Sequence, residues 1–339
     1  MQQIKSHLWP VRYKPLPDEL LSSWLVRLAN GNGLKVQTFC NLIFGNSRQV
    51  WNRDVDRLAP QWLIAELSAR TGTTLAAAQH TTLRVYEGVL YTRLKASGTL
   101  PWIQTMQVYH RKREGFGMQY CGRCLSNDAQ PYFRKKWRVS CNTVCLLHDC
   151  MLHDRCPKCG SGVAFHRMDV GHDLVPESDA LASCCVCKYD LRDAPTWPID
   201  SYEIESAESH RLLCQRLGKE SDDYSSADEL SERMRVAHHL CSLLASRYQT
   251  VTLRQHTCAQ LGVQDIPLTN GKVAFESRPL LERHHLMQLV AWLEVDLGMR
   301  LRCAWRDKAV RYNHLLKGFD DSPSAYTELV KTLSDWRLR

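Results

Sequence analysis

Apolar positions recur at helical spacing towards both ends of the chain and lose that regularity in the middle. Leu20, Leu21, Trp24, Leu25 and Leu28 make one stripe over two turns, which predicts an amphipathic helix. Asn30, Gly31, Asn32 and Gly33 then interrupt it. Val36, Phe39, Cys40 and Ile43 mark a second, shorter helix. The unit reads as helix, tight turn, helix, with the small Ala29 where the helices touch and Gly33 in the turn. A second copy is expected at 61–83. There Trp62, Leu63, Leu67 and Arg70 lead into Thr71, Gly72 and Thr73, and Thr74 is placed to cap a helix over Leu75–Thr82. Such units put a helix into the DNA major groove or serve as plain packing units. Nearer the C-terminus, Asp228 is expected to cap a helix to Leu244, with Leu230, Met234, Ala237 and Cys241 as its stripe. Another helix is predicted over Leu280–Leu297, with Leu286, Leu289, Val290 and Leu293 facing inward.

The middle is organised by cysteine instead. Ten of the fifteen cysteines fall between Cys121 and Cys187. No run approaches the ~18 apolar residues of a membrane span, and Met1–His7 lacks the apolar core of a signal peptide. A cytoplasmic chain is therefore expected, where clustered thiols favour metal over disulfides. Four half-sites share a two-residue spacer: Cys121/Cys124, Cys145/His148, Cys156/Cys159 and Cys184/Cys187. A tight turn lets both ligands of a pair face one ion, and Gly122 and Gly160 are expected to ease two of the turns. Sequential pairing gives one Cys₃His and one Cys₄ site, hence two structural Zn²⁺ ions per chain. A crossed pairing of the first and third half-sites is the alternative. Cys141, Cys150, Cys185 and His153 are spare candidates, and Cys185 competes with its neighbour Cys184. Both sites would be closed, which marks them as structural, each contributing on the order of 10 kcal/mol to folding. The histidine pairs His238/His239 and His284/His285 lack partners at ligand spacing within their helices and are expected to be ordinary core or surface residues.

Charge adds a second asymmetry. The net charge is +8, but residues 111–167 carry eleven Lys/Arg against four Asp/Glu, whereas residues 168–230 carry five against fifteen. The basic stretch over the cysteine cluster suggests a polyanionic partner or a solvated face. Within it, Tyr132, Phe133, Arg134, Lys135, Lys136, Trp137 and Arg138 alternate cations with rings, a composition suited to phosphates and bases or to packing on a zinc knuckle. Candidate contacts to nucleic acid or a partner are Lys35, Gln37, Thr38, Arg111, Lys112, Arg113, Arg134, Lys135, Lys136 and Arg138. The expected fold is mainly α, with little sheet. It comprises a helical N-terminal domain at 1–110, tandem zinc-binding modules at 111–195, an acidic linker at 196–230 and a helical C-terminal domain at 231–339.

Two stretches resemble the TniQ family, which includes TnsD-type proteins. One runs from Leu16, Pro17, Asp18 and Glu19 through Trp24, Arg27 and Ala29 to Asn32 and Gly33. The other joins Tyr120, Cys121, Cys124 and Leu125 to Tyr132, Arg134, Trp137, Arg138, Cys145, His148, Leu152 and the run Cys156–Gly160. The resemblance spans about 15–190. It implies a non-enzymatic adaptor that selects the target site in DNA transposition and acts in the bacterial cytoplasm at the nucleoid. It also implies a link to a TnsC-type AAA+ ATPase and the transposase. Some members read target DNA directly; others dimerise and dock on a CRISPR RNA-guided effector complex. The short chain after the zinc region favours docking, with a homodimer expected. By the same resemblance, Cys121, Cys124, Cys145 and His148 hold one zinc, and Cys156, Cys159, Cys184 and Cys187 the other.

Other classes fare less well. A phosphate loop needs a hydroxyl after its lysine; the nearest approach, Gly271, Lys272 and Val273, lacks it, and Gly262 is at the wrong distance. There is no H-E-x-x-H run. A nuclease built on three distant carboxylates and a zinc-containing transcription regulator remain as the alternatives.

Overall fold

The structure, a computed structural model, describes residues 8–106, 116–168, 181–199, 227–246 and 252–333. The chain forms two compact units, one of residues 1–87 and 94–198, the other of 88–93 and 199–339. The described residues are mainly helical, and their one sheet is a two-stranded hairpin.

The first unit contains α1 (Leu21–Gly31), α2 (Val36–Phe44), α3 (Val55–Leu58), α4 (Gln61–Thr71), α5 (Leu75–Gln79) and α6 (Gly122–Asn127), with β1 (Val144–Cys145) and β2 (Cys150–Met151). The helices expected at 20–29 and 36–43 are α1 and α2. Thr74 caps α5 by accepting from the Ala77 amide, and α5 ends at Gln79, short of the expected Thr82. Helix α1 departs from the one-stripe pattern: every residue from Leu21 to Ala29 is buried, Ser22, Ser23 and Arg27 included. Burial on the polar side is possible because each polar group is paired. Ser22 donates from its amide and hydroxyl to Asp56 at 2.7 and 2.8 Å. Ser23 Oγ donates to Glu19 and accepts the Phe133 amide. Arg27 reaches Glu19 at 2.7 Å and Gln130 at 2.9 Å. Satisfying these groups removes most of the cost of desolvating them.

The two stretches that resemble the family meet here. Leu20 donates its amide to the Phe133 carbonyl at 2.8 Å, and Lys135 donates to the Asp18 carbonyl at 2.7 Å. The Pro17–Leu20 segment thus lies antiparallel beside the basic–aromatic bridge. Phe133 packs on Trp137 and Phe165, with ring centroids 5.5 and 4.4 Å away, and the three are buried with Trp24.

The second unit holds α7 (Ala227–Leu244), α8 (Leu253–Leu261), α9 (Leu280–Val295), α10 (Leu297–Arg306), α11 (Tyr312–Leu316) and α12 (Ser324–Lys331). Leu230, Met234, Ala237 and Cys241 are the buried stripe of α7, which packs on α8 and α9. Asp228 lies inside its first turn and not at its cap. The helix expected through Leu297 breaks at Asp296. This residue leaves helical geometry, and its carboxylate accepts the Met299 amide at 2.9 Å, starting α10 instead. His238 lies 2.7 Å from Glu276. His239 pairs with the Leu315 carbonyl at 2.7 Å and stacks on Phe319. Most of the expected acidic linker lies outside the described residues. No helix among them is long and apolar enough to cross a membrane.

Candidate metal centres

The first half-site sits at the start of α6. Cys121 precedes the helix and Cys124 lies one turn in, so the helical rise turns both thiols to one side. The second half-site comes from the hairpin. Cys145 ends β1, and the turn before β2 carries Asp149 at φ +48° and brings His148 back over the strand. The four ligand atoms of Cys121, Cys124, Cys145 and His148 lie within 4.8 Å of one another. Cys124 Sγ is 3.6 Å from Cys145 Sγ, and His148 Nδ1 is 3.5, 3.3 and 3.6 Å from the thiols of Cys121, Cys124 and Cys145. A tetrahedron with metal–sulfur bonds of about 2.3 Å has edges of about 3.8 Å. The observed spacing is that of a ligand shell.

The second group is Cys156, Cys159, Cys184 and Cys187. Cys156 Sγ lies 3.6 Å from Cys187 Sγ, and Cys159 Sγ lies 3.7 Å from Cys184 Sγ. Half-sites therefore pair sequentially and not crosswise. Both quartets can hold a metal ion, the four donor atoms of each lying within 4.8 Å of one another. Among the spare candidates, Cys184 and not Cys185 joins the group. Cys150 Sγ stands 3.9 Å from Cys121 but outside the quartet, and Cys141 is buried and joins neither group. His153 pairs with the Pro195 carbonyl at 2.9 Å and packs between Tyr120 and Trp197.

The thiols do not shift alike: Cys121, Cys124, Cys156 and Cys187 are raised, whereas Cys145 and Cys159 are lowered. Hydrogen bonds from Cys121 and Cys124 hold the Cys145 thiol far below its ordinary pKa. At Cys159 burial pushes upwards, but hydrogen bonds from the side chain and amide of Ser161 bring it down to about 6. One lowered thiol in each quartet favours the thiolate, the form that binds metal. Two neighbours were not legible from spacing. Ser161 Oγ lies 2.7 Å from Cys159 Sγ, and the Asn127 amide lies 3.0 Å from His148 Nε2. Asn127 Nδ2 is the atom nearest the ring, on its Nε2 side, and His148 Nδ1 faces the three thiols.

The two glycines have different roles. Gly160 has φ +71°, as a tight turn requires. Gly122 has no such need. A Cβ there would lie 2.9 Å from the Leu191 carbonyl, so it is the close approach of residues 191–194 to α6 that demands glycine.

The basic–aromatic bridge corrects the reading of its cations as contacts to an external polyanion. Arg138 is fully buried, with Nη2 2.5 Å from Asp54 Oδ2 and Nη1 3.1 Å from Asp56 Oδ2. Arg134 is buried over Tyr132 and Trp137 and pairs with Asp128 at 2.7 Å. Lys135 is buried, donates to the His80 carbonyl and lies 3.8 Å from Asp18. The cations face inward because acidic residues from distant parts of the chain meet them there: Asp54 and Asp56 precede Arg138 by 84 and 82 residues. Of the four, Lys136 alone is half-exposed. At the start of α2, Lys35 and Gln37 are half-buried and Thr38 is exposed. Arg111, Lys112 and Arg113 lie outside the described residues.

Comparison with known proteins bears on the same unit. Residues 10–152 match the model of the TniQ family, which covers the N-terminal helices, the bridge and the first ligand quartet. No curated protein matches the chain.

Proposed function

The chain carries a TniQ-family domain at residues 10–152, which marks a transposition-associated protein, and on that premise we propose that it is a non-enzymatic target-selection adaptor. In this reading it links a target-recognising element, an RNA-guided CRISPR effector complex, to a TnsC-type AAA+ ATPase and through it to the transposase. It acts as a homodimer in the bacterial cytoplasm. Both quartets hold Zn²⁺, since Cys₃His and Cys₄ shells suit a borderline-soft ion in a closed tetrahedron. With every vertex filled by protein, the ions shape the scaffold and leave no position for a reacting water.

One observation carries the preference for docking over direct DNA reading. Arg134, Lys135 and Arg138 are committed to internal carboxylates, rings and a carbonyl. Cations sequestered in this way cannot release counterions from a phosphate backbone, the main source of affinity in direct binding. The helices α1 to α5 and the zinc modules remain to offer a surface for protein docking.

The test is reconstitution with the ATPase, the effector complex and a duplex carrying the target. The adaptor reading expects the ATPase to load on target DNA only when chain and effector are both present. Tight, sequence-specific binding of the chain alone to a short duplex would favour a TnsD-type reader or a transcription regulator. Magnesium-dependent strand cleavage by the chain alone, lost on changing one carboxylate, would show a nuclease and sink the adaptor reading.

A further inference from the structure

A third convergent donor set lies in the second unit, away from both cysteine quartets. Cys258 is on α8, Asp265 on the segment that leaves that helix, and His285 on α9. Cys258 Sγ is 3.8 Å from His285 Nε2 and 4.0 Å from Asp265 Oδ1, and His285 Nε2 is 3.3 Å from the same Oδ1. Cys258 and His285 are 2% and 1% exposed.

We propose that Cys258, Asp265 and His285 form a third metal site, for a divalent ion of borderline softness such as Zn²⁺. The donor set is sulfur, carboxylate oxygen and imidazole nitrogen, the mixture such ions accept. Bonds of about 2.3 Å to sulfur and about 2.1 Å to nitrogen and oxygen give tetrahedral edges of about 3.4–3.6 Å. The three separations lie within about half an ångström of these.

Asp265 is already oriented. Arg254 Nε donates to its Oδ1 at 2.6 Å, while Arg254 Nη1 donates to the Leu244 carbonyl at 3.2 Å. A carboxylate has about four lone-pair positions, so one guanidinium contact leaves room for an ion, and liganding carboxylates are commonly held by such a neighbour. The site would tie three pieces of chain together: α8, α9 and the segment between them, whose first residue, Gly262, closes α8 in the left-handed region. Three protein donors leave one vertex for water.

The same geometry excludes a cysteine–histidine–aspartate relay. In a relay the carboxylate holds one ring nitrogen and leaves the other for the thiol. Here thiol and carboxylate face the same Nε2. Three donors around one point suit a shared ion better than a proton path.

The test is metal content of the full chain, purified under reducing conditions and loaded with zinc, by mass spectrometry. Cys258→Ser and His285→Gln should each lose one metal equivalent relative to wild type. In a cobalt-loaded sample, Cys258→Ser should also lose part of the sulfur-to-metal charge-transfer absorption. The result is the difference between variant and wild type, so it stands apart from whether either quartet binds. Asp265→Asn, which preserves shape, serves as the second variant, with matched circular dichroism as the check on folding. Unchanged metal content in Cys258→Ser and His285→Gln would overturn the site and leave a plain hydrogen-bonded network around Arg254.

Discussion

Replacing Arg138 with methionine separates a structural cation from a phosphate contact. The side chain is fully buried and donates to Asp54 at 2.5 Å, to Asp56 at 3.1 Å and to the Gln104 carbonyl at 2.9 Å. Methionine fills much of the volume but leaves two carboxylates buried without their cation. Removing one partner of a buried pair costs about 3–5 kcal/mol. Protonation limits the loss. Burial already raises Asp56 to about 6 despite the opposing pull of Arg138, and without the arginine it rises further and takes up a proton near neutral pH. A carboxylate whose folded pKa lies above its unfolded value contributes more stability as pH falls. The deficit of the variant should therefore be largest above pH 7 and should shrink towards pH 5. Denaturant unfolding with zinc in excess, repeated across that range, measures it. For a unit of this size each kcal/mol is worth about 2–4 °C, so Tm should fall by roughly 10 °C. A stability change below about 0.5 kcal/mol, with weakened binding to DNA, would refute the argument and restore Arg138 as a surface contact.

Cys184→Ser should lose one metal ion per chain, while Cys185→Ser should lose none, read by metal analysis of the folded proteins. His166 has the opposite pH sign to Asp56. Burial, then Arg167, lowers it to about 4, so its contribution is present above the unfolded value of about 6.5 and is lost as pH falls to 4, by no more than about 3 kcal/mol. His166→Phe should flatten the acid limb of a stability–pH curve, and an unaltered limb would show that the ring is not buried neutral. Thr252→Ala removes the capping box of α8, in which Thr252 accepts the Gln255 amide and Gln255 Oε1 accepts the Thr252 amide. Stability should drop by about 1 kcal/mol, with faster amide exchange confined to the first turn.

What the sequence determined by itself was local. A two-residue spacer places two ligands on one side of a turn whatever the rest of the chain does, so the four half-sites were readable. Helices α1, α2 and α7 were readable from apolar spacing, and Thr74 as a cap from its position before Leu75. Tertiary structure decided everything that depends on contacts between distant residues. It paired the half-sites in order, put Cys184 and not Cys185 in the shell, and packed residues 191–194 so closely on Gly122 that no side chain fits. It turned the bridge inward, because Asp18, Asp54 and Asp56 come from segments whose distance along the chain carries no signal of proximity. A run of cations reads the same in sequence whether solvent or buried carboxylates face it. The fold alone chose the carboxylates here, and with them an internal strut at Arg138 in place of an exposed contact. The trio of Cys258, Asp265 and His285 was hidden for the same reason: three single residues with no shared spacing meet only once α8 and α9 pack.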